Sequence, residues 1–102
     1  PHMSVHLVDD YQRQLRILDA LRSESQAVRG RFDAARKQYG QQIRQSHQLG
    51  YMGDYVDQLE QRFREFSTQM DAMLETLARG ELRIVEQEQR LHSLIARAQS
   101  EG

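Results

Sequence analysis

The chain has no cysteine, no tryptophan and no proline beyond Pro1. Without thiols it has no disulfide framework, no thiolate metal site and no cysteine nucleophile, although missing cysteine does not by itself assign a compartment. No apolar run is long enough to cross a membrane, and no signal-peptide core stands near the start. The expectation is a soluble, cytoplasmic protein, with export by a route that needs no cleaved signal left open. Lysine is nearly absent, Lys37 being the only one, and arginine supplies the remaining positive charge. That bias is a codon-usage hint of a GC-rich bacterial or phage genome. Gln, Arg, Glu, Leu and Ala dominate what is present, a composition that favours long helices. The 102 residues suffice for one domain. Pro1-His2-Met3 reads as a cloning remnant ahead of a start methionine, which leaves 4–102 as that domain.

The apolar residues recur in a heptad. In the first half the stripe runs through Tyr11, Gln14, Leu18, Leu21, Ser25, Val28, Phe32, Ala35, Tyr39, Gln42, Ser46 and Leu49, widened by Leu15 and Ile43. In the second half it runs through Met52, Val56, Leu59, Phe63, Phe66, Met70, Met73, Leu77, Gly80, Ile84, Gln87, Leu91, Leu94 and Ala98. Spacings alternating between three and four place one stripe on each of two helices and imply coiled-coil-like packing. The polar members Gln14, Ser25, Gln42, Ser46 and Gln87 suit a role in fixing register or oligomer state.

The two stripes are out of phase. Extending the first from Tyr11 in sevens reaches Gly53, whereas the second runs through Val56 and Phe63. The jump falls in the stretch Leu49-Gly50-Tyr51-Met52-Gly53, where a chain reversal would produce it. Gly50 is a good helix terminator because it adopts the left-handed conformation cheaply. Asp54 is a candidate N-cap, with Asp57 adding negative charge to the first turn. The expected elements are therefore a helix over about 5–49, a turn at 50–53 and a helix over about 54–99. Folding about residue 51 sets Phe32 near Met70, Tyr39 near Phe63 and Leu18 near Ile84. Gly30, Gly40 and Gly80 sit inside these helices. A true break at Gly30 or Gly80 would replace the hairpin with a compact three- or four-helix domain.

Charge agrees with a hairpin. Before Leu49 basic residues outnumber acidic ones; after it the balance reverses. A basic arm lying beside an acidic one is favourable, within one chain or between chains. A bare two-helix hairpin has no third wall for its apolar stripe and would be marginal alone. A second copy completing a four-helix bundle is the expected remedy.

Catalytic and metal-binding chemistry finds little support. His6, His47 and His92 are scattered, without the i, i+4 spacing of a helical metal pair. The carboxylate pairs Asp9-Asp10, Asp54/Asp57 and Glu86/Glu88 fall on polar faces or caps, where solvation or capping explains them better than a pKa-perturbing pocket. Neither a phosphate-binding glycine loop nor a G-x-S-x-G element is present. The expectation is no enzyme, no metal and no cofactor. The segment 29–44 is basic, with Arg29, Arg31, Arg36, Lys37 and Arg44 against Asp33, and it could contact anionic phosphates. Balance by the acidic arm is the plainer reading. Met52, Met70 and Met73 with Phe63 and Phe66 form a soft apolar strip, suited to a core or to adaptable partner binding.

The central Tyr51-Met52-Gly53 resembles the W-x-G turn of the ESAT-6-like (WXG100) proteins, with tyrosine in place of tryptophan. The likeness extends to chain length and to the hairpin pattern. It implies a hairpin that dimerises into a four-helix bundle and is exported without a cleaved signal, with Tyr51 and Gly53 at the motif positions. No tyrosine follows Tyr55, so the C-terminal tyrosine–acid export signal of that family has no counterpart here.

Taken together, the residues predict an all-α fold: a long antiparallel helical hairpin, coiled-coil-like, completing a four-helix bundle as a homodimer. The expected function is non-enzymatic protein–protein interaction, as a small adaptor, chaperone or assembly subunit, with another helical protein as the other expected partner. The anchoring residues would be Leu18, Leu21, Val28, Phe32, Tyr39, Val56, Leu59, Phe63, Phe66, Met70, Met73, Leu77, Ile84, Leu91 and Leu94. Gly50, Tyr51, Met52, Gly53 and Asp54 would form the turn. The alternatives are a WXG100-like exported protein and a nucleic-acid-associated dimer using Arg29, Arg31, Arg36, Lys37 and Arg44.

Overall fold

The computed structural model describes residues 2–50 and 53–101. It is an all-α helical hairpin of two helices, α1 (His2–Gln48) and α2 (Asp54–Glu101). Among the described residues, only Leu49, Gly50 and Gly53 lie outside a helix. Both helices are unbroken at Gly30, Gly40 and Gly80, so the compact multi-helix alternative does not arise. Each of these glycines costs its helix about 1 kcal/mol relative to alanine, but uninterrupted runs of good helix formers on either side carry the helix across.

The ends of the two helices show how the chain stops and restarts. Gly50 has φ 80°, and its amide donates to the carbonyl of His47 at 3.1 Å. That is the inner bond of a Schellman-type ending, which only a residue tolerant of the left-handed region makes without strain. Gly53 has φ 81°, and its carbonyl accepts the amide of Asp57 at 3.2 Å. A residue whose carbonyl accepts the first intrahelical bond holds the cap position, so the cap is Gly53 rather than Asp54. Asp54 is the first helical residue. With Asp57 it puts two carboxylates in the first turn, where the helix dipole favours them. Tyr51 and Met52 lie outside the described residues.

Contacts group the chain into two units. The terminal unit joins Pro1–Gln26 to Leu77–Gly102, and the turn unit comprises Ala27–Thr76. In the turn unit the helices run antiparallel: Tyr39 meets the rings of Phe63 and Phe66 at centroid distances of 5.4 and 5.7 Å. Nearer the turn His47 reaches Glu60 at 2.8 Å, and farther from it Arg36 pairs with Asp71 at 2.7 Å. Val56 and Met70 are buried in this unit. In the terminal unit Arg22 pairs with Glu88, and the Ser25 hydroxyl donates to Glu81 Oε1 at 2.8 Å. Leu91, Ala98 and Ser25 are buried here.

Within each unit the helix faces that meet are rolled by about one residue from the predicted stripe. On α1, Tyr11, Leu18, Ser25, Phe32, Tyr39 and Ser46 are shielded as expected. Gln14, Leu21, Gln42 and Leu49 are exposed, whereas Leu15, Arg22 and Ile43 are partly covered. On α2, Met73, Gly80 and Gln87 are exposed, and their neighbours Leu74, Glu81 and Glu88 turn inward. The physical reason is visible in the pairs. Rolling α1 buries more of Leu15 and Ile43 than of Gln14 and Gln42. Rolling α2 brings Glu81 and Glu88 to Ser25 and Arg22. The opposition of the helices shifts accordingly. Tyr39 meets Phe63 as expected, but Leu18 shares a groove with Gln87 and Leu91, about one and two turns beyond Ile84.

Candidate functional site

Most predicted anchors serve the contact between α1 and α2. Val56, Met70 and Leu91 are buried. Leu18, Val28, Phe32, Tyr39, Leu59, Phe63, Phe66, Leu77, Ile84 and Leu94 are half-buried. Leu21 and Met73 are not part of that contact: they are 50% and 53% exposed, because the roll of each helix carries them outward. Half-burial across so many large side chains is itself informative. A two-helix layer covers one side of each residue and leaves the other to solvent.

The terminal unit carries an apolar groove of about 190 Å³ between Gln14, Ile17 and Leu18 of α1 and Gln87 and Leu91 of α2. Leu7, Ile17 and Leu21 are exposed along the α1 side of it. Leu7, Gln14 and Leu21 are seven residues apart, and Ile17 stands three beyond Gln14, so all four share one side of the helix. Gly80 lies one heptad before Gln87 on the corresponding side of α2, and a Cβ built there meets nothing within 4 Å. Leu82 and Val85 are also exposed, but they project from the far side of α2. Leu7, Ile17, Leu82 and Val85 were not among the predicted site residues. Ile17 was legible as a neighbour of Leu18 at three- and four-residue spacing from Gln14 and Leu21. Leu82 and Val85 carry no such pattern.

The turn unit carries a second groove, about 470 Å³, lined by Arg36, Lys37, Gly40, Ile43 and Arg44 of α1 and by Glu60, Phe63 and Arg64 of α2. Gly40 opens it: without a side chain, the α1 surface recedes between Arg36 and Arg44. Arg36 donates to Asp71, and its Nε is buried without a hydrogen-bond partner. Lys37 pairs with Asp33 one turn back at 3.0 Å, and Arg64 donates to Gln61 at 3.0 Å. Three of the five predicted basic residues, Arg36, Lys37 and Arg44, are thus gathered in one groove, and α2 adds Arg64. Arg29 and Arg31 do not line it, and both are engaged within the chain.

The remaining candidates disperse. His6, His47 and His92 are all exposed. Among the described residues no three His, Asp or Glu side chains converge on a point that could hold a metal ion. Of the paired carboxylates, Glu88 is drawn in by Arg22, Asp54 and Asp57 occupy the first turn of α2, and Asp9, Asp10 and Glu86 are exposed. Among the described residues no helix is long and apolar enough to cross a membrane. Of the three positions that carry the WXG100 resemblance, Gly53 is the described one, at the cap of α2. Comparison of the chain with protein-family models, curated proteins and solved structures finds no match.

Proposed function

We propose that this chain is a non-enzymatic protein–protein interaction module that acts through helix packing, as an adaptor, chaperone or assembly subunit. Its first partner would be a second copy of itself in a coiled-coil-like four-helix bundle. One observation carries the reading. The hairpin leaves large apolar side chains uncovered at heptad-related positions, with Leu7 and Leu21 on α1, Leu49 just past its end and Met73 on α2 between 44% and 75% exposed. Scattered exposed leucines need no explanation, but apolar residues recurring along one side of a helix mark a surface that another element covers. Each half-buried seam residue supports the same reading, since a second layer would complete its burial.

The test is the concentration dependence of thermal unfolding, followed by circular dichroism. Association stabilises by mass action, so the Tm of a dimer rises with protein concentration. A rise of several degrees between low and high micromolar chain supports the module. A Tm independent of concentration over that range removes the self-association on which it rests.

The basic groove favours a second reading, a nucleic-acid-associated dimer. Arg36, Lys37, Arg44 and Arg64 outnumber Glu60 in its lining, over Ile43 and Phe63, although Arg36 and Lys37 also pair with Asp71 and Asp33 and the chain as a whole carries a formal net charge of −1. Phosphate contacts of this kind are strongly salt-dependent. Charge reversal at Lys37 and Arg44 should abolish any binding to a short DNA or RNA duplex at low salt. No binding by the wild-type protein under those conditions eliminates this reading.

A further inference from the structure

We infer that the groove of the terminal unit is the interface for a second copy of the chain, with α1 of each copy stacked antiparallel on α2 of the other. The inference rests on the self-association proposed above and assigns it a face and an orientation.

The face follows from what each helix leaves open. Leu7, Ile17 and Leu21 are exposed on α1 beside the groove, and Gln14 and Gln87 line it from the two helices. Among the described residues nothing covers Ile17 or Leu21 on this side. Gly80 adds a flat spot to the α2 wall that no intramolecular contact uses, since a Cβ there would stand in open space. A glycine in a helix interior weakens the helix, and close approach of another backbone is a use that would offset the loss.

The occupant and its orientation follow from charge. Beyond the apolar stripe, the outer edge of α1 on this side carries Asp10, which holds Arg13 of its own helix, and Glu24, which is also engaged within the chain, while the outer edge of α2 carries Arg83, Arg90 and Arg97. The contacts Arg22–Glu88 and Ser25–Glu81 set the level of the two helices, placing Asp10 beside Arg97 and Glu24 beside Arg83 along the axis. A second copy related by a two-fold axis parallel to the helices presents α2 to α1 at the same level. Asp10 then faces Arg97 of the partner subunit, and Glu24 faces Arg83 of the partner subunit. The acidic edge meets the basic edge twice, because the contact is isologous. Stacking α1 on α1 instead would set acidic edge against acidic edge, which such interfaces avoid.

The test is sedimentation equilibrium of the wild-type protein and of a small set of variants, with helicity checked by circular dichroism. Ile17→Glu should raise the dimer dissociation constant at least a hundredfold. Leu82→Glu, equally exposed but on the far side, should leave it within threefold. Asp10→Arg and Arg97→Asp should each weaken the dimer, and the double variant should recover most of the loss. A wild-type dimer indifferent to Ile17→Glu overturns the assigned face while leaving self-association standing. A wild-type monomer overturns both. Orientation is read separately in the cysteine-free background. Ile17→Cys combined with Arg90→Cys should form intersubunit disulfides on mild oxidation. Efficient cross-linking by Ile17→Cys alone would put α1 against α1 and contradict the stacking.

Discussion

Gly50 and Gly53 hold the only positive φ angles among the described residues, 80° and 81°. An L side chain in that region costs about 1–2 kcal/mol, so Gly50→Ala should destabilise the protein by about that much in urea unfolding. Gly30 sits in the middle of α1 with open space where its Cβ would be. Gly30→Ala should move stability the other way, by roughly 0.5–1 kcal/mol. Equal and like-signed effects would mean that the two glycines do not play these different parts. Ser25 tests a third kind of residue. It is the one buried polar side chain among the described residues, and it donates to the Glu81 carboxylate. Ser25→Ala removes that donor from a half-buried carboxylate, a loss of about 1–2 kcal/mol on unfolding. A stability unchanged within error would show that water replaces the hydroxyl without penalty.

At the scale of the helices, the aromatic contact of the turn unit is the clearest interhelical lock. Tyr39 touches both Phe63 and Phe66. A double-mutant cycle between Tyr39→Ala and Phe63→Ala should return a coupling of about 0.5–1.5 kcal/mol beyond additive loss. A coupling near zero would mean that the rings are neighbours without interacting. The Arg36–Asp71 pair is a weaker link, since Asp71 is 68% exposed. Asp71→Asn should cost no more than about 1 kcal/mol, and less at high salt.

The helices also show what was legible in the sequence. Heptad spacing, the phase jump at Gly53 and the opposite charge of the two arms suffice for an antiparallel hairpin. Three ion pairs between the helices run from a basic residue on α1 to an acid on α2: Arg22–Glu88, Arg36–Asp71 and His47–Glu60. The roll of each helix was not legible. A heptad stripe marks which residues are apolar, whereas the roll depends on which polar residues find partners. Arg22 and Glu88 belong to no apolar pattern, yet they pair between the helices of the terminal unit, where Leu21 and Gln87 lie outside. The candidate site is the residue of that mismatch. It was readable only as part of one broad stripe, and the structure divides the stripe into a covered strip and an open one.

At the scale of the whole molecule, the question is whether two helices suffice. Large side chains covered on one side only, an apolar groove open along the terminal unit, and no third layer among the described residues argue that the folded unit is larger than one chain. A dimer of this kind gains stability from the burial completed at the interface, about 25 cal/mol for each Å² of apolar surface covered. Folding and association are then linked, and dilution should loosen the helices as well as separate the copies. The most direct test is the mass in solution, measured by sedimentation equilibrium at micromolar concentration and moderate salt. The account predicts twice the 12.0 kDa mass of the chain. A fully helical protein that sediments as a single chain throughout that range would contradict it.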